Sequence, residues 1–122
     1  MSRIVVIDTE TTWTDEVMSI GAVMADSATY RILDSRYYLI EPACRFGGMY
    51  SGALHMRGTP REVRSGRREI IEELRRWLAE NAVTRIFAYN ALFDQKHLPE
   101  LQDYHWFDMT LNSVKNIKNK LK

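Results

Sequence analysis

The sequence predicts an α/β fold in which one domain spans residues 1–122. Three segments rich in strand-forming residues follow one another in the first third of the chain, and this succession favours an antiparallel meander. After a long connection, the pattern changes to helix, strand, helix, strand and helix. A chain of this length can bury a core without disulfides or a structural metal.

The three strands of the meander are predicted from runs of β-branched, aromatic and other apolar residues. Residues 3–8 form a buried run that ends at Asp8, and residues 17–25 (VMSIGAVMA) form a second run with Gly21 inside it. A glycine inside a strand is typical of a bulge or of a close approach by another group. The third run is residues 30–40 (YRILDSRYYLI).

A long connection and an amphipathic helix follow. Residues 41–66 are interrupted repeatedly by glycine and proline, and a connection of this length predicts a functional loop. In residues 67–81, apolar residues recur at helical spacing opposite charged ones, which predicts a helix with one buried face. The apolar positions are Ile70, Ile71, Leu74, Trp77 and Leu78.

The C-terminal part alternates between strand and helix patterns. A fourth strand is predicted at residues 84–89, a helix interrupted near Pro99 at residues 91–101, and a short fifth strand at residues 104–108. From about residue 110 the chain is rich in lysine and asparagine but keeps apolar residues at helical spacing. This segment is either a final helix or a basic tail.

Composition excludes some classes of protein. Hydrophobic residues make up 45% of the chain and charged residues 27%, which is ordinary for a soluble globular protein. No segment approaches the roughly 18 consecutive apolar residues of a membrane span. The single cysteine, Cys44, cannot form an internal disulfide. We therefore expect no membrane partner and a cytoplasmic, reducing location.

The net charge of +1 conceals an uneven distribution of charge. The N-terminal end is acidic, whereas the middle of the chain is rich in arginine and the last eight residues are rich in lysine. A basic surface beside an acidic site suits a polyanionic partner. The alternative is that the arginines alternate with glutamates on a solvated helix face. Charge alone does not decide between these interpretations.

Two carboxylates follow the first buried run, in the stretch RIVVIDTETT. Side chains alternate between the faces of a strand, so Asp8 and Glu10 project from the same face and can share a cation. Oxygen ligands suit Mg²⁺ or Mn²⁺. Two such ions would activate a water and stabilise the leaving oxygen of a phosphodiester. The alternative is that the acids end the strand and cap a turn with Thr11 and Thr12.

A second group of polar residues follows the fourth strand, in the stretch IFAYNALFD. If strands 1 and 4 are parallel neighbours, their carboxyl ends lie side by side, and Asp94 faces Asp8. Three acids at one place repel one another unless a cation neutralises them, which favours a metal site. Capping of the following helix by Asn90 and Asp94 is the alternative, and it is compatible with metal binding.

The two motifs VVIDTETT and NALFD resemble the first two exonuclease motifs of the DEDD (DnaQ-like) family of 3′ to 5′ exonucleases. The order of elements is similar to the ribonuclease H-like three-layer fold of that family. The resemblance therefore implies a mixed five-stranded sheet with flanking helices, in which strands 1–3 are antiparallel and strands 4 and 5 run parallel to strand 1.

The resemblance also implies roles for individual residues. It makes Asp8, Glu10 and Asp94 the catalytic ligands of two divalent cations, Mg²⁺ or Mn²⁺. The substrate would be the 3′ end of single-stranded DNA or RNA, whose terminal phosphodiester is hydrolysed. The residues expected to contact the terminal nucleotide are Thr11, Thr12, Asn90, Phe93, Leu54 and His55. Trp13 would either stack on a base or close the wall of the site.

The third motif of the family, a fourth aspartate with a histidine or tyrosine before it, is missing from the sequence. His105 is instead expected to be a partly buried strand residue, and Asp108 a helix cap. The resemblance thus implies an exonuclease domain truncated before its third motif, weak or inactive alone, since a general base typically contributes 10²- to 10⁴-fold to the rate.

Two further expectations depend on that departure. The missing helix would leave apolar surface exposed on one face of the sheet, and a homodimer could cover it. The alternative function is a non-catalytic module that binds nucleic acid or protein on the same fold. A small α/β domain whose acids only cap turns is a third possibility.

Overall fold

The computed structural model describes residues 2–47 and 61–109. Residues 110–122 and the loop that holds Leu54 and His55 lie outside the described residues. The elements, in chain order, are β1 Arg3–Thr11, β2 Val17–Asp26, β3 Ile32–Glu41, β4 Arg61–Gly66, α1 Arg67–Glu80, β5 Arg85–Ala88, α2 Ala91–His97 and β6 His105–Asp108. Short 3₁₀ helices occupy Ala43–Arg45 and Pro99–Leu101.

The strands form one mixed sheet in the order β4-β3-β2-β1-β5-β6. β1, β2 and β3 pair in antiparallel fashion, and β5 and β6 run parallel to β1. This arrangement confirms the predicted α/β, ribonuclease H-like fold class, the meander and the two parallel strands. It also places the carboxyl ends of β1 and β5 side by side, as the prediction of a shared site requires.

The sheet has six strands in the described part of the chain rather than the predicted five. The additional strand, β4, runs parallel to β3 at the edge of the sheet and lies within the segment predicted as a loop. Its sequence, REVRSG, has Val63 as its single large apolar residue, so it lacks the alternating pattern of a half-buried strand. An edge strand is held by backbone pairing on one side and tolerates charged side chains.

One face of the sheet is covered by α1. The apolar residues predicted for this helix are all buried, and they pack against alternate residues of the central strands. Buried side chains on this face include Val5, Ile7, Ile20 and Tyr38. Burial of each large apolar side chain contributes roughly 1.5–3 kcal/mol, so this layer is the main source of stability.

The opposite face of the sheet carries a second, smaller cluster. Ile4, Ala25, Phe87 and Met109 are buried there, and Phe107 stacks on Phe87 with ring centroids 4.9 Å apart. The exposed apolar face that suggested a homodimer is therefore not found at these positions. The structure gives the predicted homodimer no support.

Ion pairs neutralise much of the arginine-rich middle of the chain. Arg67 pairs with Glu100 and Arg75 with Asp103, which ties α1 to the segment that follows α2. Further pairs join Arg45 and Arg64 to Glu41, Arg36 to Asp34, and Arg68 to Glu72. These contacts favour the interpretation of the arginines as paired surface residues. None of the helices in residues 2–47 and 61–109 is long and apolar enough to cross a membrane.

Candidate active site

Asp8 and Glu10 lie near the C-terminal end of β1. The strand extends to Thr11, beyond the predicted end at Asp8, so both acids project from one face of an extended backbone. Their register partners on β2 are Gly21 and Ser19. The side chains of Asp8 and Glu10 interact with each other, so two carboxyl groups of like charge lie together.

Both acids have a raised pKa. For Asp8 the largest cause is desolvation of the carboxyl group, although the residue as a whole keeps contact with solvent. For Glu10 desolvation is again first, followed by the negative charges of Asp8 and Asp94. The pair is therefore held towards its protonated form by its own surroundings, and a positive charge at this place would have the opposite effect.

Asp94 approaches the same place from α2. It is only 4% exposed, and its carboxylate accepts hydrogen bonds from the backbone N–H of Thr9, at 3.0 Å, and from the Thr9 hydroxyl. Desolvation raises the pKa of Asp94 to about 6, although the hydrogen bonds from Thr9 act against it. Thr9 separates Asp8 from Glu10 in sequence, so its side chain points to the opposite face of the sheet. Thr9, which lies between the two acids of β1, thus holds the third acid, Asp94, in place.

A cleft of about 260 Å³ opens over the three acids. It lies at the carboxyl ends of β1 and β5, where ligands commonly bind in α/β sheets. The residues that line it are Asp8, Thr9, Glu10, Thr11, Tyr89, Asn90, Phe93 and Asp94. The acids, Thr11, Asn90 and Phe93, all predicted from the sequence, therefore meet in one cleft.

The carboxylates fit a divalent cation in part. Within the described residues, no group of three His, Cys, Asp or Glu side chains is arranged to hold one ion. Asp94 directs an oxygen at Thr9, which leaves Asp8 and Glu10 as the group in mutual contact. Mg²⁺ is often held by one or two carboxylates, with water and phosphate oxygens as its other ligands. The Asp8–Glu10 pair suits that mode of binding.

Other predicted positions have structural partners. Thr12 is buried and does not line the cleft, and its hydroxyl oxygen accepts hydrogen bonds from the N–H groups of Thr14 and Glu16. It holds the turn after β1. Trp13, in the same turn, is 70% exposed and does not line the cleft either.

The start of α2 differs from the predicted cap. Asn90 occupies the N-cap position, but its side chain makes no capping hydrogen bond. The carboxylate of Asp108, at the end of β6, accepts one from the N–H of Ala91 at 3.4 Å. Asp108 thus caps α2, because β5 and β6 end side by side. Its predicted role as the cap of a following helix concerns residues that lie outside the described ones. His105 is a strand residue, as predicted, but it is exposed rather than partly buried.

Sequence reasoning missed three contributors to the site. Thr9 was overlooked because it lies between Asp8 and Glu10, although strand alternation places its side chain on the opposite face, where it contacts Asp94 of α2. Tyr89 ends the fourth predicted strand and lines the cleft. His97 contacts the Phe93 ring, with centroids 4.2 Å apart, and its Nε2 lies 2.8 Å from Asp15. No local pattern announces this last contact, because it joins residues far apart in sequence.

Comparison with known proteins identifies the fold. No protein-family model and no curated protein matches the chain. Among solved structures, the nuclease domain of 3′hExo, a DEDDh family member, bound to rAMP, matches with a TM-score of 0.57 and 12% identity. The match covers 82% of this chain and 57% of that chain.

Two structures of E. coli exonuclease I match at 17% identity, one a metal-free complex with single-stranded DNA and one a complex with a dA16 oligonucleotide. Their TM-scores are 0.60 and 0.59, and each match covers 89% of this chain and 28% of that chain. The chain thus spans little more than half of one of these relatives and under a third of the other. At these identities the likeness concerns the fold, which is that of the DEDDh exonuclease domains.

Proposed function

We propose that the chain is a metal-dependent 3′ to 5′ exonuclease domain that hydrolyses the terminal phosphodiester of single-stranded DNA or RNA. The observation that carries the proposal is the convergence of Asp8, Glu10 and Asp94 on one cleft, each with a raised pKa. Acids whose surroundings raise their pKa do not stabilise the fold when they are ionised. Such acids are typical of sites that bind ligands or catalyse reactions. The fold of the DEDDh exonuclease domains supports the same conclusion.

Asp8 and Glu10 are the proposed cation ligands, and Asp94 joins them from α2. A pair of Mg²⁺ or Mn²⁺ ions would supply an activated water and stabilise the leaving oxygen. The protein's own contribution is position. Thr9 holds Asp94 against β1 through two hydrogen bonds, and the extended strand keeps Asp8 and Glu10 on one face. Carboxylates fixed in this way can receive a cation without rearranging the backbone.

Substrate contacts are proposed for Thr11, Asn90 and Phe93, which line the cleft. Phe93 is partly exposed and its ring is steadied by His97, so it offers a face on which a terminal base can stack. Thr12 contributes indirectly, because it holds the turn that follows Thr11. The roles of Leu54 and His55 stay predictions.

We expect slow hydrolysis by the 122-residue chain. Among the described residues no histidine lines the cleft, and the acids there must bind the cations. General-base catalysis typically contributes 10²- to 10⁴-fold, so a site that relies on cations and positioning alone retains a small part of the rate of a complete one.

The alternative function, a nucleic-acid-binding module without catalysis, has less support. Such a module would need free cationic side chains, but many arginines of the described part are paired with carboxylates. Its binding would be independent of metal and would weaken steeply as salt is added.

The test is the length distribution of a 5′-labelled single-stranded oligonucleotide, DNA and RNA in parallel, incubated with the protein and Mn²⁺. A ladder that shortens from the 3′ end, disappears in Asp8→Ala and persists in Asp103→Asn would support the proposal. Asp103 is a suitable control because it is a surface acid paired with Arg75, away from the cleft. Intact substrate in every lane, with binding that needs no Mn²⁺, would favour the binding module instead.

A further inference from the structure

Two hydroxyl groups lie on the sheet face that carries Asp8 and Glu10. Asp8 is in register with Gly21 on β2, and Gly21 with Tyr37 on β3. Glu10 is in register with Ser19. Cross-strand partners point to the same face of a sheet, so all four side chains belong to the acidic face. Because Gly21 has no side chain, the position between Asp8 and Tyr37 is open.

Neither hydroxyl has a hydrogen-bond partner among the described residues, although both oxygens are buried. Ser19 is 1% exposed, and Ser19 and Tyr37 are neighbours whose mutual approach falls short of hydrogen-bond geometry. A buried polar group left without a partner costs roughly 1–3 kcal/mol. Such groups are rare in native proteins, and each one calls for a functional or structural reason.

The surroundings of Tyr37 keep its hydroxyl in the form that donates. Burial raises the pKa of Tyr37, and the negative charges of Glu10, Glu62 and Asp8 raise it further, while the Ser19 hydroxyl opposes them. The acids are thus close enough to act electrostatically on the phenol. A protonated hydroxyl next to carboxylates is a donor that faces acceptors.

A bound cation would give these donors a partner. Carboxylates that hold a cation carry no proton and only accept hydrogen bonds. The oxygens of Glu10 that do not face the cation would then need donors, and the unpartnered hydroxyls of Ser19 and Tyr37 lie on the same face of the sheet.

We propose that Tyr37 and Ser19 are positioning residues for the cation site: their hydroxyls donate to the Glu10 carboxylate when it binds a divalent cation. This inference rests on the proposed function, since it assumes that Asp8 and Glu10 are ligands. Donors behind a ligand fix its orientation, and their removal typically lowers metal affinity 10- to 100-fold.

Tyr38 provides a matched control. It is the next residue on β3, it points to the opposite face, and its hydroxyl donates to Glu73. Tyr37→Phe and Tyr38→Phe remove the same atom from adjacent residues. The first removes an unpartnered hydroxyl, whereas the second leaves the Glu73 carboxylate without a donor.

The experiment is calorimetric titration of each variant with MnCl₂, with thermal unfolding in the absence of metal measured in parallel. Tyr37→Phe and Ser19→Ala should bind Mn²⁺ 10- to 100-fold more weakly than wild type. Neither should unfold at a lower temperature without metal. Tyr38→Phe should show the reverse pattern, with wild-type affinity and reduced thermal stability, and Ser19→Thr, which keeps the hydroxyl, should retain affinity.

The outcomes separate this inference from the proposed function. Wild-type affinity in Tyr37→Phe, together with loss of Mn²⁺ binding in Asp8→Ala, would overturn the positioning role and leave the cation site standing. Absence of Mn²⁺ binding by the wild-type protein would overturn both. Equal affinity losses in Tyr37→Phe and Tyr38→Phe would show a general structural effect and would also overturn the positioning role.

Discussion

The two faces of the sheet differ in how far their buried polar side chains are paired. On the face covered by α1, Tyr38 donates to Glu73, the Trp77 indole N–H donates to Asp34 at 3.0 Å, and the Arg36 guanidinium lies over the Trp77 ring. On the acidic face, the pKa values of Asp8 and Glu10 are raised by desolvation, and the Tyr37 hydroxyl has no hydrogen-bond partner in the described part of the chain.

This difference separates structure from function. Burial of polar groups is tolerated when hydrogen bonds replace those to water. The α1 face meets that condition for Tyr38 and Trp77, although the buried Nε of Arg36 has no hydrogen-bond partner among the described residues. The acidic face does not meet it with the protein's own groups, and it is the face that lies beside the cleft. We therefore expect the α1 face to determine stability, and the acidic face to determine cation binding at some expense of stability.

The largest expected effect is on the α1 face. Leu74 is fully buried in the main core, so Leu74→Ala should lower the free energy of unfolding by about 2–5 kcal/mol through lost burial and the cavity left behind. Urea denaturation measures this directly. Mn²⁺ affinity of the folded fraction should not change, and a parallel loss of affinity would show that the two faces are not separable.

The next effect concerns pH. The pKa of Asp94 is about 6 in the folded protein against an ordinary value of 3.8, so between these values the folded state binds more protons than the unfolded state. Without metal, stability should therefore fall as pH rises from about 4 to about 6, and the penalty should be complete above pH 6. The raised pKa values of Asp8 and Glu10 act in the same direction.

Asp94→Asn should remove most of that dependence. The amide oxygen can still accept from Thr9, while the carboxylate that must ionise is gone. At pH 8 and without metal, the variant should gain stability on the order of 3 kcal/mol over wild type, and the two proteins should converge near pH 4. Denaturation curves at several pH values give the comparison. A stability that rises between pH 4 and pH 6 in wild type would contradict the prediction.

A smaller effect is expected at Tyr38. Tyr38→Phe should lower the free energy of unfolding by about 1–3 kcal/mol, because the Glu73 carboxylate loses its donor in a partly buried place. Thermal unfolding by circular dichroism is a sufficient measurement. A loss of similar size in Tyr37→Phe would mean that the Tyr37 hydroxyl has a partner after all.

The smallest effect is expected at the rim of the cleft. Asp15→Asn weakens the contact with His97, but the Asp15 side chain is 67% exposed, so the stability change should stay within about 1 kcal/mol. If the His97 contact steadies Phe93 for substrate, the Michaelis constant for the oligonucleotide should rise while thermal stability hardly changes. An unchanged constant would restrict His97 to a structural role.

The sequence predicted what depends on local pattern. The meander and α1 follow from the residue pattern. The two parallel strands were implied by the resemblance to the DEDD family, and the convergence of the acids was expected if strands 1 and 4 were parallel neighbours. β4 could not be predicted, because an edge strand with one large apolar residue is stabilised by pairing and carries no burial signal of its own. Strand positions decided by tertiary contacts are not visible in local propensity.

For the site too, local sequence pattern predicted the residues but not their tertiary contacts. Carboxylates after a buried strand are conspicuous in a sequence, but their hydrogen-bond partners are not. Asp94, which was expected to face Asp8, accepts its hydrogen bonds from Thr9. The unpartnered hydroxyls of Ser19 and Tyr37 required the registers of three strands. Hydrogen bonds that are absent leave no mark in a sequence.

The most direct test of the acidic face as a cation site is thermal unfolding with and without Mn²⁺, at pH 5 and pH 8, for wild type and Asp8→Asn. Cations and protons compete for the same carboxylates, so Mn²⁺ should raise the unfolding temperature of wild type strongly at pH 8 and weakly at pH 5. Asp8→Asn should show no such increase. An equal response in the two proteins, or no response at pH 8, would contradict the assignment of the acids to a cation.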